Sequence, residues 1–249
     1  MSNTQKTALI TGANRGLGLE TARQLAEINI RVIVTARNEQ LLQKIKEQFE
    51  QEGIQANFLK LDVTRVTEIK EAANYIARSY GSLDILINNA GISLEKSDSY
   101  QVNNTDDVPI DIIKQVYETN VFGLISVTQT MLPLLMKSTG GRIVNLSSEL
   151  GSITLHADQV SPVFGLKKFA YNSSKTVVNQ FTVHLAEKYR PLNLKINSVS
   201  PGWVKTDMGT QYAPVEVSEG ARIIVRAAIL PDDGPSGCFF THDMKPVAW

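Results

Sequence analysis

Along the chain, short runs of β-branched and aliphatic residues alternate with longer stretches whose apolar positions recur at helical spacing. TALIT (7–11) predicts a strand, followed by a glycine-rich turn and by GLETARQLAEI, apolar on one helical face. RVIVTA (31–36) is continuous in apolar residues, as a parallel strand covered on both faces should be. A charged helix over about 38–52 leads to ANFLKLDV as a third strand, and a helix over about 65–80 to LDILINNAG as a fourth. Two helices are expected within 109–137, split near Asn120 and ended by the turn STGG (138–141). RIVNLSS (142–148) and LKINSVSPG (194–202) predict strands on either side of a helix from Tyr171 to Tyr189. A helix near 215–229 and a short strand near 237–240 follow. Regular β-then-α alternation implies right-handed crossovers and a parallel sheet with helices on both faces. With no linker, repeat or low-complexity tract, residues 1–249 are expected to form one doubly wound α/β domain.

Composition narrows the possible partners. Hydrophobic residues are 43% and charged residues 20% of the 249 positions, ordinary for a globular chain. Twenty-five basic side chains balance 25 acidic ones, which offers no field for nucleic acid or an anionic membrane. Cys238 is the single cysteine, so no internal disulfide can form, and a cytoplasmic setting is expected. MSNTQKTALITG lacks the apolar run of a signal peptide, and no window approaches the length of a membrane span.

The first strand-to-helix turn, TGANRGLG, carries Gly12, Gly16 and Gly18. In parallel α/β sheets such a turn lets backbone amides approach a pyrophosphate, with the positive helix end behind it. The spacing is G-x3-G-x-G rather than G-x-G-x-x-G, and three glycines could also serve a tight turn alone. Its place between a buried strand and an amphipathic helix favours a nucleotide. At the end of the second strand a carboxylate would bind ribose hydroxyls and repel a 2′-phosphate. Ala36 and Arg37 stand there instead. Arg37 with Arg15 can clamp a phosphate, against the plainer reading of two solvated arginines, and NADP(H) is expected over NAD.

Other polar signals fall at the ends of apolar strands: NNAG (88–91), NLSSELG (145–151) and SPGWVKTDM (200–208), with Asn120 interrupting a helical stretch. Of seven tyrosines only Tyr171 has a lysine, Lys175, four positions on and so on the same helix face. TGxxxGxG (11–18), Asp62, NNAG, Asn120, the Ser148 region, YxxxK (171–175) and Pro201-Gly202 come in the order of the short-chain dehydrogenase/reductase family. The chain resembles that family over its whole length, and within it the NADPH-dependent carbonyl reductases. A single Rossmann-like domain is what this implies.

The resemblance also implies roles. Tyr171 would donate a proton to a substrate carbonyl, with the Lys175 ammonium stabilising its phenolate and binding ribose hydroxyls. Ser148 would hydrogen-bond the carbonyl oxygen, and Asn120 would hold a water linking Lys175 to solvent. Cofactor contacts would come from Gly12, Asn14, Arg15, Gly16, Leu17 and Gly18, from Arg37, and from Asn89, Ala90 and Gly91. Pro201, Gly202, Val204 and Thr206 would meet the nicotinamide side. Asp62 and Val63 would meet the adenine, although Asp62 fits equally as a cap for the next helix. Ser147 competes with Ser148, and the family pattern, three residues before Gly151, selects Ser148. His156, His184 and His242 form no metal-ligand pattern.

Ser148 and Tyr171 stand 23 positions apart (171 − 148), a longer interval than many family members have. The extra residues fall within SITLHADQVSPVFGLKKFA, expected to be a long loop forming one pocket wall through Leu150, Leu155, Val160, Pro162 and Phe164. Relatives with a long insertion here imply a monomer rather than a dimer or tetramer. The loop after KTDMG is short, predicting an open pocket edged by Trp203 and Tyr212 and a small hydrophobic carbonyl substrate. An alcohol dehydrogenase or 3-oxoacyl reductase of the same family, or an NADP sensor without catalysis, would share the fold. The intact set of Asn120, Ser148, Tyr171 and Lys175 argues against the sensor.

Overall fold

A computed structural model describes residues 5–95 and 102–249; the opening residues of MSNTQKTALITG lie outside them. The chain runs β1 (Thr7–Ile10), α1 (Gly16–Glu27), β2 (Arg31–Ala36), α2 (Glu39–Gln51), β3 (Ala56–Lys60), α3 (Val66–Tyr80) and β4 (Ile85–Asn88). After the two-residue β5 (Val102–Asn103) come α4 (Ile110–Tyr117), a π-helical turn (Glu118–Gly123) and α5 (Leu124–Leu135). Next are β6 (Gly141–Leu146), a 3₁₀ turn (Glu149–Gly151), α6 (Ile153–Ala157), β7 (Leu166–Lys167) and α7 (Phe169–Lys188). β8 (Leu194–Val199), α8 (Val217–Ala228) and β9 (Phe239–Phe240) complete it.

Seven strands form one parallel sheet in the order β3-β2-β1-β4-β6-β8-β9. Alternate side chains of a strand enter opposite layers, because successive Cβ atoms point to opposite faces. Ala8 and Ile10 of β1 pack with α1, α2 and α8, through residues such as Leu25, Phe49 and Ile224. Leu9, between them, packs with α3 and α5 through Ile76 and Met131. Each large side chain buried this way contributes roughly 1.5–3 kcal/mol. That explains why the central strands read as unbroken apolar runs.

Strand order reverses beside β1, which leaves a crevice between the carboxyl ends of β1 and β4, the place where doubly wound sheets bind ligands. The predicted strands and helices stand where expected, with ends moved by a few residues. The interval between Ser148 and Tyr171 does not match its expectation. Instead of a long loop it holds a 3₁₀ turn, the short helix α6 and β7, which pairs in parallel with β5. The reason is local capping: the Ser152 hydroxyl accepts from Leu155 N at 3.1 Å and donates to Ala248 O at 2.6 Å. Lys167 Nζ then donates to the carbonyls of His156 (2.8 Å) and Phe164 (2.5 Å). No helix among the described residues is long and apolar enough to cross a membrane.

Candidate active site

At the first turn, Gly12 adopts φ +62°, and a Cβ there would come within 2.9 Å of Ala90 Cα. Only glycine lets the turn after β1 approach the turn after β4 this closely. Asn89 ties the two together, its Nδ2 donating to the carbonyls of Thr11 (2.8 Å) and Gly12 (3.0 Å). In return the Thr11 hydroxyl accepts from the amides of Asn89 and Ala90, each at 3.0 Å. Thr11, inside the TG motif, is thus a site-building residue that the sequence reading passed over. α1 begins at Gly16, so Asn14, Arg15, Gly16, Leu17 and Gly18 all belong to the turn and the positive helix end.

Thr206 brings the segment after β8 against this turn, its methyl 3.4 Å from where a Gly16 Cβ would lie. Val204 is buried and bridges to Val215, which pins the base of the loop that follows. Gly202 takes φ +80° directly after Pro201. Within the loop the Trp203 indole donates to Gly209 O, and Tyr212 is 74% exposed. Of the two residues expected to edge the pocket, Trp203 is therefore bonded within its own loop, and Tyr212 stands in solvent.

At the β2 end, Asn38 caps α2 by accepting from Gln40 N (2.8 Å) and Leu41 N (3.2 Å), which places Arg37 between the last strand residue and the cap. Arg37, Asn38, Lys60, Asp62, Arg65 and Glu68 line one cavity there. Arg15 does not join Arg37: it is 72% exposed and ion-paired with Asp207, in the segment that carries Thr206. The two-arginine clamp is thus corrected to Arg37, and Arg65 is the further cation that sequence reasoning missed. Asp62 accepts from the amide and hydroxyl of Thr64 at 3.0 and 2.7 Å, an Asx turn. The α3 start, at N-cap Arg65, has no side-chain cap, so the capping reading of Asp62 falls away. Val63 is buried in the core layer beneath, where it meets the backbone of Gly123 closely.

The other end of the crevice is built on α7. Gly151 makes it possible: a Cβ would meet Lys175 C at 2.8 Å, so the 3₁₀ turn lies directly on the helix. Ser148 is the N-cap of that turn, accepts from Leu150 N at 3.2 Å, and hydrogen-bonds the Tyr171 phenol. Ser147, which follows it on the opposite side of the strand, turns inward to Lys175 O at 3.4 Å. Asn120, 1% exposed in the π turn, grips Ile92 on both sides, accepting from its N–H (2.8 Å) and donating to its carbonyl (2.9 Å). The same amide donates to Ser174 on α7 at 3.0 Å. Its side chain is thereby spent on holding the chain after β4, rather than free for a water.

Lys175 is 5% exposed; its Nζ donates to Leu146 O at 2.8 Å and lies 5.6 Å from the Tyr171 ring centre. Burial lowers the ammonium to about 8. Tyr171 keeps some accessible surface, yet its surroundings strip enough water to push the phenol up to about 12, with only the Ser148 hydrogen bond opposing. The expected lowering of Tyr171 by Lys175 is therefore outweighed by desolvation. His184 lies on α7, and among the described residues no cluster of three or more His, Cys, Asp or Glu side chains forms. In the insertion Val160 is 89% exposed and Pro162 is exposed, so these two do not wall a pocket.

The geometry has known counterparts. The family model described as short chain dehydrogenase matches residues 6–216. The chain belongs to the short-chain dehydrogenase family. It is 32% identical to (-)-isopiperitenone reductase of Mentha piperita, covering 98% of each chain. It is 31% identical to carbonyl reductase [NADPH] 1 of Mus musculus, over 100% of both. The fold superposes on an NADPH-bound carbonyl reductase from chicken fatty liver with a TM-score of 0.84 at 28% identity, covering 98% of this chain and 99% of that one. This short-chain dehydrogenase is accordingly an oxidoreductase of the carbonyl-reductase kind.

Proposed function

We propose that this short-chain dehydrogenase reduces a ketone or aldehyde to an alcohol at the expense of NADPH, with Tyr171 donating the proton. NADP(H) is its cofactor, as in the NADPH-bound structural neighbour. The residues present fit such a group. The glycine turn meets the positive end of α1, and a Cβ on Gly91 would intrude 3.5 Å from Lys175 Nζ and 3.4 Å from Asn120 Oδ1. When bound, the cofactor supplies a hydride to the carbonyl carbon. Arg37 and Arg65 would hold the 2′-phosphate, and Lys175 the nicotinamide ribose.

The observation that carries the proposal is the Tyr171 phenol hydrogen-bonded to Ser148 beside buried Lys175. A phenol raised to about 12 stays protonated across the physiological range, the form a proton donor needs. Ser148 and Tyr171 both present hydroxyls to one point, so a carbonyl oxygen set between them would be polarised by two donors. The ammonium of Lys175, charged below about pH 8, stabilises the phenolate left after transfer. Asn120, through Ile92, holds the chain between Gly91 and α7 in register with these groups.

Apolar side chains near the crevice favour a small hydrophobic carbonyl compound. The test is a panel of ketones, aldehydes and quinones followed by NADPH absorbance. Turnover with NADPH and little with NADH is expected. No turnover of any member, with NADPH binding intact, would overturn the reductase reading in favour of a cofactor sensor.

A further inference from the structure

We propose that Glu95 is a positioning residue for Tyr171, an inference that rests on the proton-donor reading above. The first turn of any α-helix leaves its N–H groups without main-chain partners. In α7 these are Phe169, Ala170 and Tyr171, since Asn172 N already donates to Lys168 O at 2.8 Å. The local sequence KKFAYN cannot help, because Lys168 at the N-cap makes no side-chain cap.

The partners come from far away in the chain. Glu95, 9% exposed, accepts from Ala170 N through Oε1 (3.0 Å) and from Tyr171 N through Oε2 (2.7 Å), 76 positions on. Asn104, just after β5, accepts from Phe169 N at 3.0 Å and donates to Glu95 Oε1 at 2.9 Å. One buried carboxylate thus receives three hydrogen bonds at the positive end of a 20-residue helix. Side chains of a helix lean toward its N-terminus, so the place of the Tyr171 phenol follows the place of this first turn.

The carboxylate is itself fixed from the sheet. Glu95 follows Gly91 by four residues on the segment leaving β4, and Asn120 clamps that segment at Ile92 on both backbone groups. Asn120 also reaches Ser174, whose hydroxyl donates to Tyr171 O at 2.7 Å. Tyr171 therefore has both its backbone N–H and its carbonyl tied, through Glu95 and through Ser174, to the strand end that carries NNAG. Misplacement of a reacting group by about 1 Å can cost on the order of 100-fold in rate.

The test compares Glu95→Ala, Glu95→Gln and Asn104→Ala. Asn104→Ala removes a cap from the same helix but leaves the Tyr171 bond. For Glu95→Ala, kcat should fall roughly 10- to 100-fold, with KM for NADPH within about threefold, whereas Asn104→Ala should stay within about threefold in kcat. Glu95→Gln, with one acceptor kept, should recover part of the loss. In ¹³C-tyrosine-labelled protein, the Tyr171 resonance, assigned with Tyr171→Phe, should move in Glu95→Ala and hold in Asn104→Ala. This readout needs no substrate, so it separates a failure here from a failure of the reductase reading. Wild-type kcat in Glu95→Ala, or an unmoved resonance, would overturn the proposal. Equal losses in Glu95→Ala and Asn104→Ala would reduce Glu95 to an ordinary helix cap. If Glu95→Ala does not fold, Glu95→Gln decides by the same two readouts.

Discussion

Arg37 and Lys175 stand at the carboxyl edge of the same sheet, in opposite surroundings. Arg37 is exposed beside a helix cap, with Lys60, Arg65, Asp62 and Glu68 around one cavity. Lys175 is 5% exposed and its Nζ is held by a main-chain carbonyl. At the first end water screens each charge, so recognition depends on matching a phosphate with several cations. At the second end, desolvation dominates: it lowers Lys175 to about 8 and raises Tyr171 to about 12. One end of the crevice is built to recognise charge and the other to hold protons.

The contrast can be broken at the buried end first. Tyr171→Phe removes the proton donor while leaving the ring, and should lower kcat by on the order of 1,000-fold with NADPH affinity kept. Stopped-flow turnover and a fluorescence titration check both halves. At the exposed end, Arg37→Asp should shift the ratio of kcat/KM for NADPH over NADH by roughly 10- to 100-fold, as loss of charge-assisted hydrogen bonds to a phosphate predicts.

Next comes the pH dependence of stability. The Lys175 pKa is depressed in the folded state, so between about 8 and its ordinary value the unfolded chain binds the extra proton. Stability should therefore rise with pH from about 8 toward 10, then give way as Tyr171, raised to about 12, keeps a proton that the unfolded chain loses. Lys175→Met should flatten the rising limb in thermal melts at stepped pH. The smallest effect belongs to Val160→Ser, at a position 89% exposed: within about 0.5 kcal/mol in stability and no change in kcat. A marked loss of rate there would restore the insertion as a pocket wall.

How much could be read from the chain follows the same division. Each element of the sheet was legible because unbroken runs such as RVIVTA and LKINSV leave a strand covered on both faces little choice. TGANRGLG and the Tyr171–Lys175 pair were legible because their spacing is itself the geometry. What could not be read depends on partners remote in sequence. Arg15 found Asp207, and Glu95 found Ala170 and Tyr171, through tertiary approach alone. The insertion misled for a related reason. LHADQVSPVFGLKK has weak periodicity, and its order comes from Ser152, Lys167 and the distant strand Val102–Asn103.

The π turn from Glu118 to Gly123 has a consequence for how the helical stretch α4–α5 tolerates change. Such a turn carries one residue more than an α-helix of the same rise, so it acts as a phase shift between the two halves. Deleting exposed Phe122 would restore simple helical register, and everything after it would rotate by about 100°. Val127 and Met131, now facing α3 and the sheet, would swing out of their layer. A one-residue deletion should thus be far more damaging than replacing Phe122 with alanine, because the stretch is keyed by its length as well as by its side chains.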